Sequence, residues 1–223
     1  MNFRKFSTFI INPQYPKVEE ISIKQSVQVL LHSLLWYYSF AIVASIMFAL
    51  PLMQFGLWPK PPHFGSASFF DMVLLAPFIE ELAFRLPLRC FYRNVFISFG
   101  LVFYSFTNKE IGGYLSGSIA IAMMGLPYMI NKIGKIETRI NNIFEKYFKY
   151  FFYFSIILFA ALHLTNLENL KFENYLISPF IVSFQIGLGF ILGFIRVNYK
   201  FGIIYSILAH SLINFLLALP MLF

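Results

Sequence analysis

The sequence predicts an all-α fold: a polytopic bundle of about seven transmembrane helices, N-terminus inside and C-terminus outside. Three observations predict it. Hydrophobic residues make up 59% of the chain and charged residues only 12%, with a mean hydropathy of +0.71. A soluble domain of 223 residues needs far more polar surface. The apolar residues gather in runs close to the ~20 residues that cross a hydrocarbon core. The positive charges cluster at the ends of those runs, as membrane orientation requires.

The runs lie at about 28–52, 68–90, 95–108, 112–130, 148–165, 175–195 and 202–221. Backbone polar groups in lipid must be satisfied within the segment, so each run is read as a helix. Residues 1–27 form a polar leader, too long for the charged region of a cleaved signal peptide and placed inside as a cytoplasmic segment. Residues 28–223 form a single membrane domain, with no repeat, linker or low-complexity run. With the N-terminus inside, the inner segments hold Arg4, Lys5, Lys17, Lys24, Arg85, Arg89, Arg93, Lys132, Lys135, Arg139, Lys146, Lys149, Arg196 and Lys200. The outer loops hold only Lys60, Lys109 and Lys171, a split of 14 to 3. The same spread excludes a nucleic-acid reading of the net charge of +7, because no single basic patch forms. Richness in Phe, Ile, Asn and Lys points to an AT-rich bacterial genome, hence to a bacterial plasma (inner) membrane.

Several features have structural readings. The single cysteine, Cys90, excludes an intramolecular disulfide and any CxxC metal site, and is read as a packing residue at the membrane edge. Gly189 and Gly193 in "GFILG" form a small-xxx-small pattern that predicts a close helix contact. Pro77 and Pro87 should kink the second span. Glu19 and Glu20 are read as a solvated face of the leader. His32 is read as structural, and His63 as a loop residue without a partner.

Ionisable groups inside a bilayer are costly and therefore functional candidates. Setting aside charges near span ends leaves Glu80, Glu81 and Arg85 in span two, His163 in span five, and His210 with Asn214 in span seven. Counting from Arg93, Lys149 and Lys200, at 1.5 Å rise per residue, puts Glu80, His163 and His210 about 20, 21 and 15 Å deep. Three ionisable groups on three helices thus fall in one layer, as one buried site built from facing helices would require. Glu81 and Arg85 are i and i+4, so they stack on one face and can pair. Glu80 sits about 100° round the helix and stays free to take a proton from water. His210 and Asn214 are also i and i+4, and two donors on one face can hold a developing oxyanion. The competing structural reading is a buried salt-bridge and hydrogen-bond network that fixes helix packing.

"EELAFR", Glu80 to Arg85, fits the EExxxR motif of the CAAX protease and bacteriocin-processing (CPBP, or Abi) family. "FAALH", Phe159 to His163, fits its FxxxH motif, and "HSLIN", His210 to Asn214, its His-xxx-Asn/Asp motif. The three occur in order on apolar spans, and the chain from span two to span seven resembles this family of intramembrane proteases. It is similar in this to the Ras-converting CAAX prenyl endopeptidases. The resemblance implies an endopeptidase acting on a membrane-associated or lipidated peptide. It implies that Glu80 with His163 activates a water, that His210 and Asn214 hold the oxyanion, and that Glu81 and Arg85 support the site. Two departures stand out. Here 83 residues separate Glu80 from His163, enough for an inserted pair of helices, and Leu86 replaces the Gly that commonly follows the motif's Arg.

The soluble zinc signature H-E-x-x-H is absent, and metal-free glutamate catalysis is the preferred reading because it gives each of the four residues its own role. Glu80, His163 and His210 form the alternative, a zinc site of the His₂Glu type with an open water position. Against the enzyme reading stand a non-catalytic membrane immunity or scaffold protein on the same fold, and a transporter with a buried proton-relay carboxylate. The transporter reading lacks the repeat symmetry usual in that class.

Overall fold

In a computed structural model the regular elements of the described residues are all helical. The structure describes residues 3–15, 18–59, 68–89, 91–107, 111–130, 135–167 and 170–219. Cys90 and His63 lie outside them.

Helix α1 (Phe3–Ile11) opens the leader and α2 (Ile23–Ala44) begins the bundle. Ser22 caps α2 in a reciprocal box: the Gln25 N–H donates to Ser22 Oγ, and the Ser22 N–H donates to Gln25 Oε1. α2 runs on through a wide π-turn at Ser45–Ala49 into α3 (Leu50–Gln54), where Pro51 withholds its N–H. The combined helix Ile23–Gln54 is long and apolar enough to cross a membrane, as is Phe148–Asn166. Leu31, Leu35, Ile42, Ile46, Met47 and Leu50 stand exposed along the first, a face suited to lipid and unfavourable in water. Shorter apolar helices occupy Asn94–Tyr104, Ser183–Asn198 and Gly202–Ala218.

The second expected span is helical but composite. Ser68 and Asp71 exchange side-chain bonds to each other's N–H groups, a π-turn follows at Asp71–Leu75, then α4 (Ala76–Phe84), then a 3₁₀ turn at Leu86–Leu88. The two changes of winding accompany Pro77 and Pro87, as expected of residues that withhold a donor. α5 (Phe91–Thr107) and α6 (Gly113–Ile130) form an antiparallel hairpin, in which Gly100 leaves no room for a Cβ against the Ala120 carbonyl. The turn between them uses Gly112 at φ 84°. An amphipathic α7 (Lys135–Lys146) leads into α8 (Phe148–Leu162), whose last turn tightens to 3₁₀ over His163–Asn166.

One expectation needs correction. The run 175–195 is not one helix but α9 (Phe172–Leu176), α10 (Ser178–Ile181) and α11 (Ser183–Asn198). Pro179 starts α10, and the backbone leaves helical geometry at Ile177 and Val182. α11 is the hub of the bundle, buried along nearly its whole length, and α12 (Gly202–Ala218) packs beside it. The expected glycine contact is made: a Cβ at Gly189 would meet Ile156, and one at Gly193 would meet Phe152, both on α8.

The leader joins this core. Phe6 and Phe9 are buried edge-on against Phe194, and Phe9 also meets Phe152. Glu19 bridges the turn after α11, its N–H donating to the Asn198 carbonyl and its carbonyl accepting from Lys200. The Glu19 and Glu20 side chains are exposed as expected, but each holds a cation, Lys5 and Lys200. His32 bonds its own helix, Nδ1–H donating to the Gln28 carbonyl at 2.6 Å, which fits its structural reading.

Candidate active site

Three helices bring the ionisable residues together. α4 supplies Glu80 and Glu81, with Arg85 at its C-cap; His163 is the C-cap of α8; α12 supplies His210, with Asn214 one turn further on. Glu81 and Arg85 stack one turn apart, with Arg85 Nε 3.7 Å from Glu81 Oε2 and neither side chain exposed. The second Glu81 oxygen accepts from His210 Nδ1 at 3.1 Å. Glu81 therefore bridges a guanidinium and an imidazole that are both buried with it, where unpaired charge is most costly.

Glu80 faces a different way, as the 100° step predicts, and its side chain is 29% exposed. His163 Nε2 lies 3.9 Å and His210 Nε2 3.7 Å from the same oxygen, Glu80 Oε2. The layer inferred from residue counting is thus a real convergence. The ring orientations have a chemical cause. His163 Nδ1 lies 2.8 Å from the Phe159 carbonyl, which can only accept, so Nδ1 carries the hydrogen and a neutral ring turns its Nε2 lone pair toward Glu80. His210 is fixed likewise, because the Glu81 carboxylate accepts at Nδ1.

A cavity of about 400 Å³ opens beside Glu80 and His163, walled by apolar groups such as Ile79, Phe84, Val102 and Leu162, with Thr165 and Asn166 adding polar groups. His210, only 2% exposed, does not line it. Asn214 donates one amide hydrogen to the Met72 carbonyl at 3.0 Å, which leaves its second hydrogen for other use. Val102 belongs to the α5–α6 hairpin, so the segment inserted between the first two motifs forms part of the cavity wall.

Two residues already named from the sequence take structural roles that it does not assign. Phe159 is fully buried, with the Arg85 guanidinium carbon 4.2 Å above its ring and its edge contacting His163 and Phe84. It acts as the floor on which the cation and the imidazole rest, which gives the motif's aromatic residue a physical purpose. Arg196 was counted as a marker of orientation, but it is buried and bonds the carbonyls that end α4. Pro87 was the available signal, since a proline there must orphan a carbonyl one turn earlier; which side chain would answer it was not legible. Among the described residues no cluster of three or more His, Cys, Asp or Glu is arranged to hold a metal ion.

A family model described as "Type II CAAX prenyl endopeptidase Rce1-like" matches residues 62–216, a stretch that contains every residue of this site. Comparison with curated proteins and with solved structures gave no match.

Proposed function

The chain belongs to the Rce1-like family of type II CAAX prenyl endopeptidases, an integral-membrane protease family, and on that premise we propose that it hydrolyses a peptide bond in a membrane-associated or lipidated substrate, using Glu80 as base. The observation that carries the proposal is the convergence of two imidazole Nε2 atoms on one Glu80 oxygen at the mouth of a cavity.

The donor and acceptor pattern supports a specific sequence of steps. A water seated between Glu80 Oε2 and His163 Nε2 can donate to both. Two hydrogen bonds of ~2.8 Å leaving one water at its natural angle end roughly 4.5 Å apart, close to the 3.9 Å between these atoms. The water's remaining lone pair attacks the scissile carbonyl carbon while Glu80 takes a proton. The carbon–nitrogen bond then breaks as Glu80 returns that proton to the leaving amine. His210 and the second hydrogen of Asn214 are proposed to hold the oxyanion. Because His210 Nδ1 already donates to Glu81, an oxyanion can be met only through Nε2–H, so this role uses the imidazolium, whose charge faces Glu81 on one side and Glu80 on the other. The partial exposure of Glu80 leaves it room to turn and admit the substrate oxygen.

Seven spans with N-in and C-out orientation, a cytoplasmic leader at 1–27 and residence in a bacterial plasma membrane complete the proposal. The 14-to-3 charge split supports the orientation. Metal-free catalysis is preferred because it gives Glu80, His163, His210 and Asn214 separate tasks. In the competing zinc reading Glu80, His163 and His210 are the ligands, and the same Nδ1 contacts would orient both rings. Purified enzyme is offered a quenched peptide bearing a farnesylated cysteine. Glu80→Gln should abolish cleavage while the protein stays folded; retained cleavage removes Glu80 from the role of base, whereas native function that survives Glu80→Gln in a chain that cleaves nothing favours the scaffold or immunity reading.

A further inference from the structure

α4 stops just where Pro87 makes its carbonyls hard to satisfy. Helix continuation would pair the Ala83 carbonyl with the N–H of residue 87, which proline lacks. The Leu88 N–H turns instead to the Arg85 carbonyl at 3.2 Å, which releases the Phe84 carbonyl as well. Buried carbonyls without donors are costly, more so in a membrane. Side chains from three other helices meet them. Ser98 of α5 donates to the Ala83 carbonyl, and Ser155 of α8 to that of Phe84 at 2.6 Å. Arg196 of α11 donates to Arg85 at 2.9 Å and to Leu86 at 3.1 Å. Asn94 of α5 adds bonds to Leu86 and Arg89.

We propose that Ser155 and Arg196 are positioning residues: by tying α8 and α11 to the broken end of α4, they set His163 and His210 against Glu80. This rests on the reading of Glu80 as the base. The geometry explains the choice. The Phe84 carbonyl is one turn from Glu80, and Ser155 is about two turns from His163 on an antiparallel neighbour. A tie there holds both ends of the Glu80–His163 pair in one rigid frame. Arg196 does the same through the short turn from α11 into α12, which carries His210. Neither residue lines the cavity that holds Glu80; Ser155 borders the adjoining apolar cavity, with its hydroxyl engaged by the Phe84 carbonyl. Ser98 and Asn94 anchor the inserted hairpin to the same carbonyl ring.

The test measures kcat and KM on the farnesylated quenched peptide for the full chain in lipid nanodiscs, with Glu80→Gln as control. Misplacement by about 1 Å can cost up to ~10²-fold in rate. Ser155→Ala should lower kcat roughly 10-fold while KM stays within about twofold, and Ser155→Thr, which keeps the hydroxyl, should restore it. Arg196→Met should act in the same direction, with Arg196→Lys partly restoring. Unchanged kcat in Ser155→Ala, a loss that Ser155→Thr does not repair, or a rise in KM alone overturns the inference. Should Arg196→Met fail to fold, the small Ser155 change still decides. Full activity in Glu80→Gln would instead sink the catalytic reading. A wild-type chain that leaves the probe uncut also counts against that reading. The tie is then read by bifunctional thiol cross-linking of Glu80→Cys with His163→Cys in a Cys90→Ala background, which Ser155→Ala must slow if the inference holds and leaves unchanged if it fails.

Discussion

The same isosteric change, Glu to Gln, made one residue apart at positions 80 and 81, should produce opposite phenotypes. Glu81 is fully buried between Arg85 at 3.7 Å and His210 at 3.1 Å, and no described group hydrogen-bonds the Arg85 guanidinium, which is held by charge and by the ring beneath it. Glu81→Gln leaves that buried cation with only the Phe159 ring and the more distant charge of Glu80 to compensate it. Breaking a buried pair by removing one partner costs ~3–5 kcal/mol. At roughly 2–4 °C per kcal/mol for a chain of this size, the melting temperature should fall by about 6–20 °C. Glu80 is partly exposed and is not the carboxylate paired with Arg85, so Glu80→Gln should melt within a few degrees of wild type and yet lose peptide cleavage by roughly 10³-fold or more. Differential scanning fluorimetry in detergent and the quenched-peptide assay read the two axes. If Glu80→Gln melts as low as Glu81→Gln, Glu80 belongs to the packing network and the division of labour is wrong. If Glu81→Gln is stable and fully active, Glu81 neither balances Arg85 nor orients His210.

Three further outcomes follow from the packing and the site. Phe159→Leu keeps most of the apolar volume but removes the ring beneath Arg85, and should cost ~1–3 kcal/mol with a fall in kcat, measured by melting and turnover; a variant equal to wild type in both would show that the ring only fills space. Gly193→Val should destabilise by about 1–3 kcal/mol because even a Cβ would stand 2.9 Å from Phe152, whereas Gly125→Ala, with nothing within 4 Å, should be neutral or slightly stabilising; equal melting temperatures would contradict the close α8–α11 contact. Cleavage should persist after prolonged treatment with 1,10-phenanthroline and EDTA. Loss of activity that zinc restores would move Glu80, His163 and His210 into the metal-ligand role.

Much of the site was legible because its chemistry is local. The i, i+4 spacing placed Glu81 beside Arg85, the 100° step turned Glu80 away, and counting from the flanking cations put His163 and His210 at the level of Glu80. Span boundaries were less legible, since hydropathy cannot see where a proline stops a helix inside an apolar run; the fragments α9 and α10 are the example. The packing of the leader was not legible either: its polar composition hides Phe6 and Phe9, whose partner Phe194 lies far along the chain.

What the sequence determined by itself was class, family and cast. Apolar composition selects a helical membrane bundle because lipid offers the backbone no partners, and three spaced motifs name the residues of the candidate site. Only tertiary structure decided how those residues face one another. Which histidine nitrogen faces Glu80 depends on the Phe159 carbonyl and on Glu81 Oε1. Which side chains answer the carbonyls orphaned by Pro87 depends on α5, α8 and α11 meeting at one helix end. Hydrogen-bond direction and helix register are set by atoms far apart in the chain, and no spacing along one helix can specify them.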